Sequence, residues 1–338
     1  MLPPANSRIV SVDPLAAVAG GRVCVRGSDI GAGDRLPVIT NGGLPARVVS
    51  CSSDAVACLV PEESRGGETS IRLDTAPGET VLLEVGVPVA TDLHQVDSPA
   101  IGRDGTLFLT HSGTRGDSSP ATVFRIGPDG FREPFVTGLA NPTSLAIAPD
   151  GQLYVSSRFD GTVFRVDDDG DFHQVATDLG VACGLAFDDD GMLYVGDRTG
   201  TVFVVSPEGT VAPFATLPPS VAAFHLAMAP GGDLFVSVPT LGTRDVVYRV
   251  DSSGEATVAQ DGFGRPQGLA VDRQGTLYVV EALAGVSGLH RVSTAGVQQI
   301  VAAPSLVGVA LGPSGEAVVV SADTAYRFDH LPAPAMTA

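Results

Sequence analysis

After residue 86 a single unit of sequence recurs, and nothing else in the chain constrains its fold as tightly. An apolar run ends in a Gly-containing turn, a Leu-Tyr-Val-like run follows at once, and two further runs complete the unit. The copies begin at Ala100-Ile101-Gly102-Arg103-Asp104-Gly105-Thr106-Leu107-Phe108-Leu109, then span Leu145 to Val155, Leu185 to Val195, Leu226 to Val236, Leu269 to Val279 and Val309 to Val319. Their equivalent positions Phe108, Tyr154, Tyr194, Phe235, Tyr278 and Val318 lie 46, 40, 41, 43 and 40 residues apart. A period of about 40 residues with four strands per unit is what the blades of a β-propeller require. Six copies predict six blades.

The last copy runs out after Ala325-Tyr326-Arg327-Phe328 without an outer strand of its own. Val87-Pro88-Val89-Ala90-Thr91-Asp92-Leu93 matches Glu133-Pro134-Phe135-Val136-Thr137-Gly138-Leu139. Residues 86–92 are therefore expected to pair with the C-terminal strands and close the ring, removing an open edge. Residues 1–85 form a separate unit in this reading, 82–86 a short hinge, 86–330 the propeller and 331–338 a disordered tail. In the first unit, short runs such as Arg22-Val23-Cys24-Val25-Arg26 and Ala55-Val56-Ala57-Cys58-Leu59 alternate at period two between Gly, Asn and Pro punctuation, the pattern of a β-sandwich. The fold class is all-β: an immunoglobulin-like β-sandwich plus a six-bladed β-propeller.

Two resemblances follow from these residues. Ile9-x-x-Val12-x-Pro14, then Gly20-Gly21-x-Val23-x-Val25-x-Gly27, with Val60-Pro61 before Gly66-Gly67, is similar to the IPT/TIG immunoglobulin-like modules. That likeness implies a spacer or docking module without catalytic machinery. The repeat, as in Arg265-Pro266-Gln267-Gly268-Leu269-Ala270-Val271-Asp272-Arg273-Gln274-Gly275-Thr276-Leu277-Tyr278-Val279, resembles the NHL-repeat and gluconolactonase-like propellers. This fold hosts hydrolases, lyases and binding proteins alike.

A propeller presents one residue from the start of each inner strand to its central channel. Here these are Asp97, Thr143, Cys183, Phe224, Gln267 and Val307. A second ring, just past each Leu-Tyr-Val run, is His111, Ser157, Asp197, Val238, Glu281 and Ala322. Arg158 and Arg198 follow the second ring directly and suit an anionic ligand, or pair with nearby Asp160 and Asp171. Asp97, Cys183, His225 and His111 contain the types for a thiol nucleophile with a base. Asp197 and Glu281 offer an acid–base pair, or else bond the backbone of adjoining turns.

The gluconolactonase likeness implies a divalent cation held by a glutamate, two asparagines and an aspartate. The corresponding positions are Asp97, Cys183, Phe224 and Gln267, which supply too few oxygen donors for a hard cation such as Ca²⁺. Asp97 is the one carboxylate retained and the one candidate metal ligand; neither a metal nor another cofactor is expected, with Ca²⁺ as the side reading. The runs Asp167-Asp168-Asp169-Gly170-Asp171 and Asp188-Asp189-Asp190-Gly191 read as turns, with surface cation binding as a side reading.

The formal charge is −18, every basic residue is arginine, and −15 of it belongs to the chain after residue 85. That sign opposes nucleic acid and anionic lipid. No run of about 18 apolar residues exists to insert in a membrane. The first seven residues show no leader pattern, which reads as a soluble cytoplasmic protein, or an extracellular or periplasmic one if a leader was removed. Cys24, Cys51 and Cys58 allow a disulfide among them, or buried free thiols like Cys183. The leading expectation is a binding propeller whose face takes a small molecule, carbohydrate or protein segment. The rival is a remodelled hydrolase or lyase using Asp97, His111 and Glu281.

Overall fold

The structure, a computed structural model, describes residues 7–31, 35–114, 122–282 and 286–333. The tail expected at 331–338 falls mostly outside these residues, as does the start of the chain. Every regular element among the described residues is a β-strand.

Five four-stranded antiparallel sheets stand separately, in a propeller arrangement. Four are consecutive in sequence, with inner strands Ala100–Ile101, Pro142–Ile147, Ala182–Phe187 and His225–Met228. In the fifth, Leu306–Leu311, Ala317–Ser321 and Ala325–Phe328 are completed by Val87–Ala90. Ala325 pairs with Ala90, Tyr326 with Pro88 and Arg327 with Val87, so residues 86–92 close the ring as the repeat predicts.

The expectation of six blades is corrected: five stand as separate four-stranded sheets. The copy made of Pro266–Val271, Leu277–Glu281, Gly288–Ser293 and Gly296–Ala302 has the same strand order as the others but forms one end of a twelve-stranded sheet. Ala16–Ala17 lies parallel to Gly296–Ala302 on one side and to Val81–Val85 on the other, carrying the sheet into the N-terminal part. Among the described residues the two separate sheets expected of a sandwich are not shown either. Leu44–Cys51 pairs with Ala55–Leu59 along one half and with Ile39–Asn41 along the other, which makes the pairing continuous. Val12, Val25, Val56, Ile71 and Leu83, drawn from both ends of that order, share one buried cluster, so the sheet wraps over its own core.

Period-two patterning explains the packing between repeats. Val123 and Val136 of one unit are buried with Leu145 and Val155 of the next, and Val163 and Leu179 with Leu185 and Val195. Each apolar layer is thus shared by neighbouring sheets, which is why no repeat buries its faces alone.

Ala16–Ala17 applies the same alternation at the junction. Ala16 points into the propeller core with Val280 and Val301, and Ala17 into the N-terminal core with Val85. Val18 N–H donates to the Ala302 carbonyl at 2.9 Å, and Gly86 N–H to that of Ala17 at 2.9 Å. The expected hinge at 82–86 is accordingly a strand plus one anchored glycine, and the N-terminal part is joined to the propeller by a shared ladder.

Ala16 is fully buried. Ala16→Leu is expected to lower unfolding free energy by ~1–3 kcal/mol through overpacking. Urea titration of the full chain checks this; a change within the ~0.5 kcal/mol typical of surface substitutions would show that the strand is not seated as described.

Candidate functional site

Inner strands run away from the channel mouth and second strands run back to it, so the starts of the former and the ends of the latter share one face. Every expected ring residue lies at that face. The first ring, however, does not line an open channel: Asp97, Thr143, Cys183 and Phe224 are all buried, while Gln267 and Val307 are partly so.

Phe224 and Cys183 belong to the apolar cluster between neighbouring sheets, with Leu217, Leu234 and Val236. The residue that reaches across the ring is His225, one position further on. Its Nδ1 lies 2.5 Å from Asp97 Oδ1 and its Nε2 3.1 Å from Gln267 Oε1, joining the first repeat to the fourth and fifth. Asp97 Oδ1 also accepts from Ser98 N–H at 2.6 Å, and its carbonyl from Gln95 Nε2 at 2.8 Å. His225 is fully enclosed.

The geometry follows from a pattern one residue past the first ring: Ser98, Ser144, Gly184, His225, Gly268 and Gly308. Small residues there let inner strands approach closely; a Cβ on Gly308 would lie 2.5 Å from Ser98 Cα. His225 is the single large member. It fills the space around the axis and requires polar partners to be buried there.

The donor set does not fit the cation that the gluconolactonase likeness implies. Phe224 has no donor, the Asp97 carboxylate is engaged by His225 and Ser98, and burial pushes the Cys183 thiol up to about 11, keeping it neutral. The same shift removes the thiolate that a cysteine nucleophile needs. No group of three or more His, Cys, Asp or Glu gathers in a metal-like cluster among the described residues.

Two acidic members of the second ring serve turns. Asp197 accepts from Val181 N–H at 2.8 Å and Thr199 N–H at 3.2 Å, and Glu281 from Gly264 N–H at 2.6 Å and Arg265 N–H at 3.0 Å. Ser157 donates to the Ala140 carbonyl at 2.8 Å, and Thr143 to that of Asn141 at 3.2 Å. Val238 is buried and Ala322 exposed. Asp188 accepts from Asp190 and Met192 N–H at 3.1 and 2.9 Å, so that acidic run is turn chemistry.

His111 behaves differently. It forms a parallel bridge with His94, and the two partly exposed imidazoles meet edge to face at 6.0 Å. Burial, then the charges of His111 and Arg158, hold His94 below the ordinary imidazole range. Arg158 Nη2 donates to the Gly113 carbonyl at 3.4 Å, and Arg198 is exposed, with no carboxylate in ion-pair range among the described residues. Phe159, Val221 and Leu241, at 47, 43 and 87% exposure, stand on loops of the same face. The mouth therefore combines basic nitrogens with an apolar rim in an acidic chain. The sequence reading missed His94, which lies on the segment leading into an inner strand rather than on either ring; examining those lead-in segments would have found it.

Cavities of about 540 Å³, between the N-terminal part and residues 286–304, and about 630 Å³, at the opposite face of the propeller, lie away from these residues. All four cysteines are free, and burial pushes Cys58 up to about 12.

Removing His225 strands the buried Asp97 carboxylate. His225→Ala should therefore cost ~3–5 kcal/mol in urea unfolding, whereas Asp97→Asn, which keeps a polar partner, should cost distinctly less. Equal and small losses would dismiss the cross-ring link. A thiol reagent at pH 8 should label the partly exposed Cys24 and Cys51 in the native protein, and Cys58 and Cys183 only after unfolding. Fast native labelling of Cys183 would contradict its burial.

No family model matches the sequence, and no curated protein matches it. Solved structures do. An auxiliary nutrient binding protein from Bacteroides ovatus is 13% identical with a TM-score of 0.54, over 96% of this chain and 98% of the other. A gluconolactonase from Xanthomonas campestris is 15% identical with a TM-score of 0.57, over 72% and 89%. At these identities the likeness concerns the fold: an all-β, propeller-like chain similar along nearly its whole length to a nutrient-binding protein and over 72% of it to a gluconolactonase.

Proposed function

We propose that the protein is a ligand-binding propeller that takes a small anionic molecule, such as an acidic sugar, at the face carrying His94, His111, Arg158 and Arg198. One observation carries the reading: imidazoles and guanidinium groups gather at the channel mouth of a domain whose net charge is −15. The guanidinium groups of Arg158 and Arg198 supply the positive charge there, and charge-assisted hydrogen bonds from them orient an anion, with the imidazoles as further polar contacts. Phe159, Val221 and Leu241 supply apolar contact for the body of the ligand.

Residues 266–302 act as the sixth blade, fused to the N-terminal part rather than free. Residues 1–85 act as an IPT/TIG-like spacer or docking module, held rigidly by Ala16–Ala17. The nutrient-binding neighbour, similar over both parts, supports this division of labour.

The metal-dependent lactonase chemistry of gluconolactonase-like propellers is absent from this reading because Asp97, Cys183, Phe224 and Gln267 do not make a hard-cation site. A hydrolase or lyase using Asp97, His111 and Glu281 has weaker support. No hydrogen bond joins these three among the described residues, and both carboxylates are occupied elsewhere.

Isothermal titration of the full chain with gluconate, glucuronate and their uncharged parent sugars tests the proposal. The acids should bind and the parent sugars should not, with Arg158→Ala and Arg198→Ala each weakening affinity by about 10–100-fold, as loss of a charged hydrogen bond predicts. Binding that is unchanged in both variants, or that requires added Ca²⁺, would overturn it.

A further inference from the structure

The repeat carries an arginine at one cross-strand position, opposite the aromatic of the Leu-Tyr-Val run. Arg125 faces Phe108, Arg165 faces Tyr154, Arg249 faces Phe235 and Arg291 faces Tyr278. Three of these have a carboxylate: Arg125 with Glu133 at 2.5 Å, Arg165 with Asp167 at 2.9 Å and Arg249 with Asp233 at 2.7 Å. Arg291 does not. The position matching Glu133 in its sheet is Gln298, and no carboxylate lies in ion-pair range of Arg291 among the described residues.

Arg291 is also the most deeply buried of the four, at 8% exposure. Its Nη2 donates to the Pro332 carbonyl, its guanidinium carbon lies 5.9 Å from the Tyr278 ring centroid, and its Nη1 has no hydrogen-bond partner. An arginine is always charged, and a buried charge without a counterion is unfavourable. The side chain lines the cavity of about 630 Å³ at the face opposite the channel mouth, among the turns 102–106, 272–276 and 312–316. Arg103, Arg273 and His330 border the same cavity and are exposed.

Two carboxylates share this cavity, and both are used by the turns that hold them. Asp272 accepts from Gln274 N–H at 2.9 Å, Thr276 N–H at 2.8 Å and Tyr278 Oη at 3.2 Å. Glu316 accepts from Ser314 N–H at 2.9 Å. The guanidinium groups outnumber them.

We propose that this cavity is a second binding site, for a small oxyanion such as a carboxylate or phosphate group. Arg291 charges its wall, while Arg273, Arg103 and His330 contact the ligand at its rim. The proposal is independent of the channel-mouth reading, since the two sites occupy opposite faces and share no residue.

The test titrates inorganic phosphate and, separately, malonate into the full chain at low ionic strength, followed by calorimetry. Binding of either is expected, and which of the two binds tells phosphate from carboxylate as the recognised group. Arg273→Gln should weaken binding at least ~10-fold, the loss of one charge-assisted contact. Gln298→Glu, which supplies the carboxylate found beside Arg125, should pair with Arg291 and weaken binding similarly while leaving thermal stability unchanged or raised. Arg125→Gln, at the equivalent but ion-paired position, should leave the affinity as it was. Absence of binding for both anions, or equal weakening by Arg125→Gln and Arg273→Gln, would overturn the proposal.

Discussion

The antiparallel pairing of Val87–Ala90 with Ala325–Phe328 decides what the rest of the molecule can be. A propeller buries its sheets only against neighbours, and a ring that fails to close leaves a sheet face and an edge strand in water. The closing strand comes from the start of the propeller sequence, so both ends of the ring meet in one sheet. That sheet packs directly against the copy at 266–302, which in turn carries the ladder into the N-terminal part. A two-residue strand, Ala16–Ala17, suffices for this junction because its two side chains point in opposite directions, one into each core.

Closure also determines what happens at the axis. Small residues at Ser98, Ser144, Gly184, Gly268 and Gly308 bring the inner strands together, and the remaining large position, His225, bridges to Asp97 and Gln267. A buried, hydrogen-bonded histidine at this place gives the ring a specific polar link in a low-dielectric setting, where a mispaired group would be costly. It also withdraws Asp97 from the channel. The positions that the gluconolactonase likeness implies for a metal lack donors at Phe224 and Cys183, and Asp97 among them is engaged by His225.

The polar groups that neither the axis nor the turns engage stand outward from the axis. On one face, basic nitrogens stand among exposed apolar side chains; on the other, an arginine whose counterparts in three repeats have carboxylates has none. Repetition is what makes the second case visible. When one architectural position recurs around a ring, a copy that breaks the pairing rule stands out, and of the two that do, Arg291 and Arg327 opposite Val318, Arg291 is the one that lines a cavity.

Much of the architecture is legible from local pattern alone. The period near 40, the alternation within each run and the likeness of 87–93 to 133–139 are statements about backbone hydrogen bonding and one-sided burial, which short-range sequence encodes directly. The turn roles of Asp188, Asp197 and Glu281 were readable for the same reason, since a carboxylate beside a turn finds backbone N–H groups within a few residues or in the adjoining strand. Tertiary structure alone decided the rest. Whether a ring position faces the axis or the neighbouring sheet depends on strand twist, and this moved Phe224 into a core and His225 to the centre. The partners that matter most, Asp97 with His225 and Ala16 with Val301, are separated by more than a hundred residues. No local propensity couples residues so far apart; only closure of the ring brings them into contact.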